Sequence, residues 1–391
     1  MKEKFLRELA DIQTGPFGSQ LHKEDYVADG TPIVTVEHLG NKMFSEQNLP
    51  RVSNTDKNRL KKYVLKQGDI VFSRVGSVDR CSYVDQKHDG WMFSGRCLRV
   101  RPTSEIDSEY LYYYFCLEET KQFVRNIAVG ATMPSINTKL LGEVVVTFPE
   151  LEQQKRISGI LSAIDSKIEV NQKINDNLYA QVKAIFSENF LNLDFLPDGW
   201  KTGNLLDIAD YLNGLAMQKY RPKDGETGLP VLKIKELRQG ICDANSELCS
   251  PSIKSEYIIH DGDIIFSWSG SLLVDIWCGG TCGLNQHLFK VTSNNYDKWF
   301  YYLWTAHHLD RFIAVAADKA TTMGHIKREE LEKVEVIIPS KCDYKRIGAL
   351  IKPLFDLIIS NRIEDRKLTA LRNTLLPKIM SGEIDVCDIQ L

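Results

Sequence analysis

Apolar and polar positions follow two alternating patterns along the chain, and each pattern occurs twice. Residues 1–149 mix short β-type runs with Gly, Asp, Asn and Pro punctuation. TPIVTVEHL at 31–39, DIVFSRV at 69–75 and CLRVRP at 97–102 have the branched and aromatic composition of strands bounded by turns. EYLYYYFCLEETKQFVRNI at 109–127 is apolar at helical spacing and predicts one helix packed on the sheet. EVVVTFP at 143–149 predicts a last strand ending at proline. The second half repeats the scheme with LPVLKIKEL, DIIFSWS, HLFKVTS, the helix KWFYYLWTAHHLDRFI at 298–313, and KVEVIIP.

After each terminal proline the period lengthens. From Glu152 to about Asn189, apolar residues fall at Ile157, Ile160, Ile164, Ile168, Ile174, Leu178 and Ile185, close to a three-four repeat. The matching stretch after Pro339 offers Ile347, Leu350, Leu354, Ile358, Leu368, Leu371 and Leu375. Asn171 and Asn361 fall at corresponding positions of the two seams, where one buried polar residue fixes register at some expense of stability. The pattern predicts two long helices that pair antiparallel within the chain. About 37 residues of helix make a rod of roughly 55 Å, long enough to space two globular heads. Pro353 is expected to kink the second helix or mark its start, and Pro377 to end it. LPDGW at 196–200 reads as the linker between halves.

The two halves also match in sequence. GDIVFSRVGS at 68–77 returns as GDIIFSWSGS at 262–271 with seven of ten positions identical. Residues 130–157 align without gaps on 320–347 with ten of 28 identical. Copies about 190 to 199 residues apart are not a solenoid period but a duplicated domain with its connector. The fold class expected is α+β. Two similar mixed α/β domains, 1–150 and 196–340, are separated by long paired coiled-coil-like helices, 151–195 and 341–391, with an internal pseudo-twofold repeat.

Composition narrows the function. With 43% apolar and 26% charged residues the chain is of globular type, and no apolar run approaches a membrane span. The first residues lack a signal-peptide pattern, and nine cysteines without a framework suit a reducing cytoplasm. A net charge of −3 excludes a wholly basic coat for nucleic acid, but a local basic cleft depends on where charges lie. No P-loop, dinucleotide fingerprint, nucleophile elbow or zinc-protease motif occurs, so no catalytic residue is assigned. CGGTC at 278–282 near His287 lacks a second ligand pair and has no counterpart in the first half, so no metal site is assigned.

What remains is the repeated loops. Each Gly-Asp-Ile strand runs into a Gly-Ser turn that offers N–H groups and hydroxyls suited to phosphate: Ser73, Arg74 and Ser77 in one half, Trp268, Ser269 and Ser271 in the other. Arg74 and Arg80 are able to fork onto guanine or phosphate, while a plain β-turn would account for the glycines alone. Arg74 aligns with Trp268 and Arg80 with Val274, so the scaffold is kept while side chains diverge, as two readers of different sequences would show. A second loop sets Arg96 against His287, with Asn285 and Gln286 supplying amides that suit adenine edges. A third carries Thr132, Ser135, Asn137 and Lys139 against Thr322, His325 and Lys327, where helix capping competes with DNA contact.

The layout resembles the specificity subunit of type I restriction-modification systems. The resemblance is carried by LADIQTG at 9–15 and LLDIADYLNG at 205–214, the GDI-x-FS…GS blocks, proline followed by LEQQKRI at 151–157, and LRNTLLPKIMSGEI at 371–384. The second copy departs from it with KCDYKRI. The resemblance implies a non-catalytic, cytoplasmic subunit whose domains each read half of a split double-stranded DNA site. It further implies helices that set the spacer and dock two modification (methyltransferase) subunits carrying S-adenosylmethionine, with restriction/translocase subunits joining them. The chain itself is expected to hold no cofactor and to meet no membrane. A two-headed adaptor for protein or glycan ligands is the competing reading from the residues alone.

Overall fold

A computed structural model describes residues 1–18, 20–40, 42–318 and 326–386, with backbone only at Lys23 and Asp318; Thr322 and His325 lie outside the described residues. The chain divides into two compact units, Met1–Ser166 with Thr369–Leu391, and Lys167–Leu368. Each therefore holds one repeated domain and a portion of both long helices.

In the first unit, strands 10–14, 97–102, 70–73 and 81–83 form an antiparallel sheet in that order. The apolar run Ile-Val-Phe at 70–72 is buried on both faces, and strand alternation divides it between two cores. Ile70 and Phe72 face the helix Ser108–Cys116, with Phe72 edge-on to Phe115 at 4.7 Å, while Val71 joins Ile33, Met92 and Phe93 on the other side. There a small sheet of strands 26–27, 51–52, 31–34 and 92–93 contains one parallel pair, 31–34 with 92–93. Strand 2–5 pairs with 145–148. The second unit repeats the main sheet with strands 210–213, 288–292, 263–267 and 273–277 and the terminal pair with strand 201–204 on 335–338. Its small sheet, strands 248–249, 229–232, 282–284 and 258–259, keeps the parallel pair but has its extra edge strand on the opposite side from 26–27. Ile264 and Phe266 again face one core and Ile265 the other.

The repeated Gly-Asp is part of this scaffold. Asp69, 1% exposed, accepts the Arg101 fork through Nε and Nη2, both at 2.7 Å, and the Lys66 N–H at 2.8 Å. Asp263 accepts the His260 N–H at 2.9 Å and lies 2.9 Å from Lys290 Nζ. The acid closes its own turn and ties it to the neighbouring strand.

The helix expected over 109–127 is two helices, Ser108–Cys116 and Glu118–Ile127, broken where Leu117 takes an extended backbone. Glu118 and Glu119 then fall in a new first turn, where acidic side chains favour the positive helix end. The stretch over 298–313 likewise divides at His308, into Lys298–His307 and Leu309–Asp318. His308 Nε2 lies 2.9 Å from the Glu335 carbonyl, and burial pushes its imidazole down to about 4. The folded form thus refuses a proton that the unfolded chain accepts near pH 6.5, so this contribution to stability is lost as pH falls from 6.5 towards 4. His308→Gln is expected to flatten that part of the stability–pH curve. Tryptophan fluorescence checks it, since only Trp91 lies outside the second unit, and an unchanged slope between pH 6.5 and 4 would remove His308 as its source.

The long helices run from Leu151 to Phe186, continued by one wider turn to Leu191, and from Lys341 to Met380. Rising numbers on one meet falling numbers on the other, so they are antiparallel. Within the second unit Asn171, 1% exposed, donates from Nδ2 to Glu364 Oε2 (2.7 Å) and Asp365 Oδ1 (2.8 Å), and Asn361 donates to Asn175 Oδ1 (2.9 Å). Both expected seam asparagines are therefore buried and paired across the helices. Within the first unit Arg372 donates to Asp165 at 2.6 Å. Forks from Arg362 to Asp275 and Arg366 to Asp261, all at 2.8 Å, bind the second helix to the second domain.

Three expected seam residues, Ile174, Leu350 and Leu371, are exposed, and Leu161, Val182, Phe186, Ile351, Phe355 and Ile379 are buried instead. Each helix packs on a domain as well as on its partner, so its buried stripe is wider than a coiled-coil seam and centred elsewhere. Neither proline ends the second helix. Pro353 is exposed beside an open cleft that also exposes Ala349, whose freed carbonyl water can satisfy. Pro377 sits in the last turn, which closes after Met380 with Gly382 N–H on the Ile379 carbonyl at 3.2 Å. Among the described residues no helix is long and apolar enough to cross a membrane.

Candidate nucleic-acid interface

In the first unit the three sequence-identified loops meet at one end of the main sheet, tied by backbone hydrogen bonds. Arg74 N–H donates to the Arg96 carbonyl and Ile136 N–H to the Arg74 carbonyl, at 2.8 and 2.9 Å, and Gly76 N–H donates to Pro134 at 2.8 Å. Gly76, at φ 75°, makes the turn that lets its N–H face the third loop. A fourth segment joins them: a Cβ on Gly15 would stand 2.1 Å from the Ser94 carbonyl oxygen, so the chain at 14–17 lies directly on the second loop.

On this frame the candidate side chains divide into internal and outward groups. Ser73 is buried and donates to the Val75 carbonyl at 2.8 Å. Ser135 donates to the Val129 carbonyl at 3.2 Å, and Asn137 caps helix 138–142 by accepting the Leu140 N–H at 2.9 Å. Arg80 packs along Gly40 and donates to the Leu39 carbonyl. Arg74 is half-buried, donates to the Gly95 carbonyl at 3.1 Å and stacks 4.9 Å over the ring of Phe17. Arg96, Ser77, Thr132 and Lys139 point outward. Around them Phe17 is 50% and Met133 62% exposed. Phe17 escapes the repeat comparison because its counterpart, Ala216, shares nothing with it; its signal is an aromatic between two glycines.

The second unit builds the same crossing. Trp268 N–H reaches the His287 carbonyl at 3.4 Å and Ile326 N–H the Trp268 carbonyl at 3.0 Å, while a Cβ on Gly214 would stand 2.2 Å from the Asn285 carbonyl oxygen. Trp268 fills the place of Arg74, donating from Nε1 to Asn213 Oδ1 at 3.1 Å and lying against Phe289 and His287. Ser269 and Asn285 are buried, and Asn285 Oδ1 accepts the His287 N–H at 3.2 Å. Gln286 lies 3.3 Å from His287 Nε2, Ser271 is partly exposed, and Lys327 points outward. The connection after Ser267 is one residue shorter than that after Ser73, so the counterpart of Arg80 is Leu273, not Val274.

Cys278 and Cys282 are buried, Cys282 against the thiol of Cys242, and among the described residues no three His, Cys, Asp or Glu side chains gather as a metal site. The interface thus consists of donors, cations and exposed apolar groups on a rigid backbone frame, suited to contact with phosphates and base edges.

A family profile described as type I restriction modification DNA specificity domain matches residues 1–180 and 197–369. The chain is 28% identical to the type I restriction enzyme MjaIX specificity subunit of Methanocaldococcus jannaschii, over 73% of this chain and 71% of that one. It is 20% identical to the HindI specificity subunit of Haemophilus influenzae, over 83% and 88%. The crystal structure of a type I restriction-modification S subunit from M. genitalium superimposes with a TM-score of 0.59 at 16% identity, covering 97% of this chain and 95% of that one. With its domain, helix, domain, helix order matched in sequence over both copies, the chain belongs to the specificity subunits of type I restriction-modification enzymes, the non-catalytic component that recognises the DNA sequence.

Proposed function

We propose that each unit reads one half of a bipartite double-stranded DNA site through its loop cluster. The observation that carries this is a single backbone frame built twice with different side chains at its matched positions: Arg74, Arg96 and Phe17 in one copy, Trp268, His287 and Ala216 in the other. A common frame fixes how each domain meets a groove, and the exchanged side chains give each its own bases. The paired helices set the spacing between half-sites. Their outward apolar residues, Val170 and Ile174 on one and Leu350, Leu357 and Leu371 on the other, supply docking surface for two modification subunits. Those subunits bring S-adenosylmethionine, this chain holds no cofactor of its own, and restriction/translocase subunits join the assembly in the cytoplasm.

Arg96 tests the reading directly, since its guanidinium is exposed and has no partner among the described residues. Arg96→Ala is expected to relax one base position of a single half-site by about 1–3 kcal/mol. Competition between duplexes mutated in one half or the other measures this. Equal weakening on both halves, with the salt dependence reduced by about one phosphate contact, would make Arg96 a backbone anchor instead.

A further inference from the structure

A fifth segment borders each loop cluster, and its charge is reversed between the domains. It follows the parallel-paired strand: Thr35-Val36-Glu37 after 31–34 in the first unit, Lys233-Ile234-Lys235 after 229–232 in the second. Both copies are tied to the second loop in the same way, Ser94 N–H to the Val34 carbonyl at 2.9 Å and Asn285 N–H to the Leu232 carbonyl at 3.2 Å. In the second unit the segment also approaches the Gly-Ser turn, where a Cβ on Gly270 would lie 3.8 Å from Ile234 Cδ1. In the second unit a cleft of about 280 Å³ separates the segment from residues 285–287, with both lysines on one wall and Gln286 and His287 on the other. Carboxylates hold the two amines in place, Glu247 at Lys233 and Asp243 at Lys235 (3.4 Å). His287 Nδ1 is buried there with no hydrogen-bond partner among the described residues.

We propose that this segment is a base-reading element of each domain. Lys233 and Lys235 present donors to a guanine of one half-site, and Glu37 accepts from the exocyclic amino group of a cytosine or adenine in the other. This rests on the DNA-reading function proposed above. Phosphates carry the same charge in every half-site, so a residue that contacts them has reason to keep its sign between copies. A carboxylate at the matched position would repel a phosphate, whereas base edges differ in whether they donate or accept, and a charge reversal suits that difference.

The test offers the full chain, purified from its host with the subunits it carries, a pool of duplexes randomised across both half-sites. Lys235→Glu is expected to reduce the preference for guanine at one position by about tenfold or more and leave the other half-site unchanged. Glu37→Lys is expected to change the other half-site alone. Lys235→Ala only trims a side chain that is 56% exposed, so it should fold and show the same loss of preference more weakly. Unaltered base preferences in all three variants, with or without a change in overall affinity, would overturn the proposal. A wild-type chain that selects no sequence would instead defeat the DNA-reading function itself.

Discussion

Asp69→Ala is expected to destabilise the first domain by about 3–5 kcal/mol, the range for breaking a buried ion pair by removing one partner. The carboxylate is almost wholly out of water and accepts three donors, two of them the arms of one guanidinium. Without it the hydrogen-bond partner left to Arg101 among the described residues is the Val64 carbonyl at 3.2 Å, with the like charge of Arg99 close by and the carboxylates of Asp11 and Asp89 farther off. Asp263 meets lysines rather than a fork, at 2.9 and 3.8 Å, so Asp263→Ala is expected to cost its domain less, about 1–2 kcal/mol. Hydrogen exchange separates the two domains: protection of strand 70–73 should fall in the first variant and that of 263–267 in the second. If Asp69→Ala left protection intact, the acid would not be scaffold.

Gly214→Val is expected to abolish reading of one half-site by a factor of about a hundred or more while leaving the other intact. No side chain fits there, because its first carbon would overlap the Asn285 carbonyl at 2.2 Å and the Leu284 oxygen at 2.5 Å. Forcing strand 210–213 away from loop 285–287 costs about 1–3 kcal/mol by overpacking, well short of unfolding a domain with so large an aromatic core. The damage therefore falls on loop placement. Binding to duplexes carrying one or both half-sites, alongside a thermal melt, distinguishes the outcomes. Equal loss on both halves with both domains folded would refute the idea that each cluster works on its own domain's half-site, and a lost melting transition would show instead that the strand–loop contact holds the domain together.

The sequence was most informative where two levels of pattern agreed. The strands at 70–73 and 263–267, the paired helices and the buried asparagines at 171 and 361 follow from period and repeat together. Period alone misled. It ran through Leu117 and His308 because the helices on either side bury apolar faces in the same core. It also put Ile174, Leu350 and Leu371 in the seam, because a three-four repeat does not say which of two neighbours, helix or domain, a face will meet. At the candidate site the loops that converge were legible, since matched glycines enclosed unmatched side chains. Which side chains face outward was not. Ser73 and Asn137 serve their own turns, as short polar residues beside backbone N–H groups often do. Phe17 and the 35–37 segment are brought to the site only by tertiary folding.

The loops of each cluster are held to one another by main-chain groups, from Arg74 to Arg96, Arg74 to Ile136 and Gly76 to Pro134. Main-chain bonds survive almost any exchange of side chain. On the proposed reading, a lineage carrying this chain drifts through new target sequences by single substitutions at positions such as 37, 96 or 235 without passing through an unfolded intermediate. Under pressure from invading DNA that escapes recognition, selection then acts on preference alone, and the architecture outlasts every specificity it has carried.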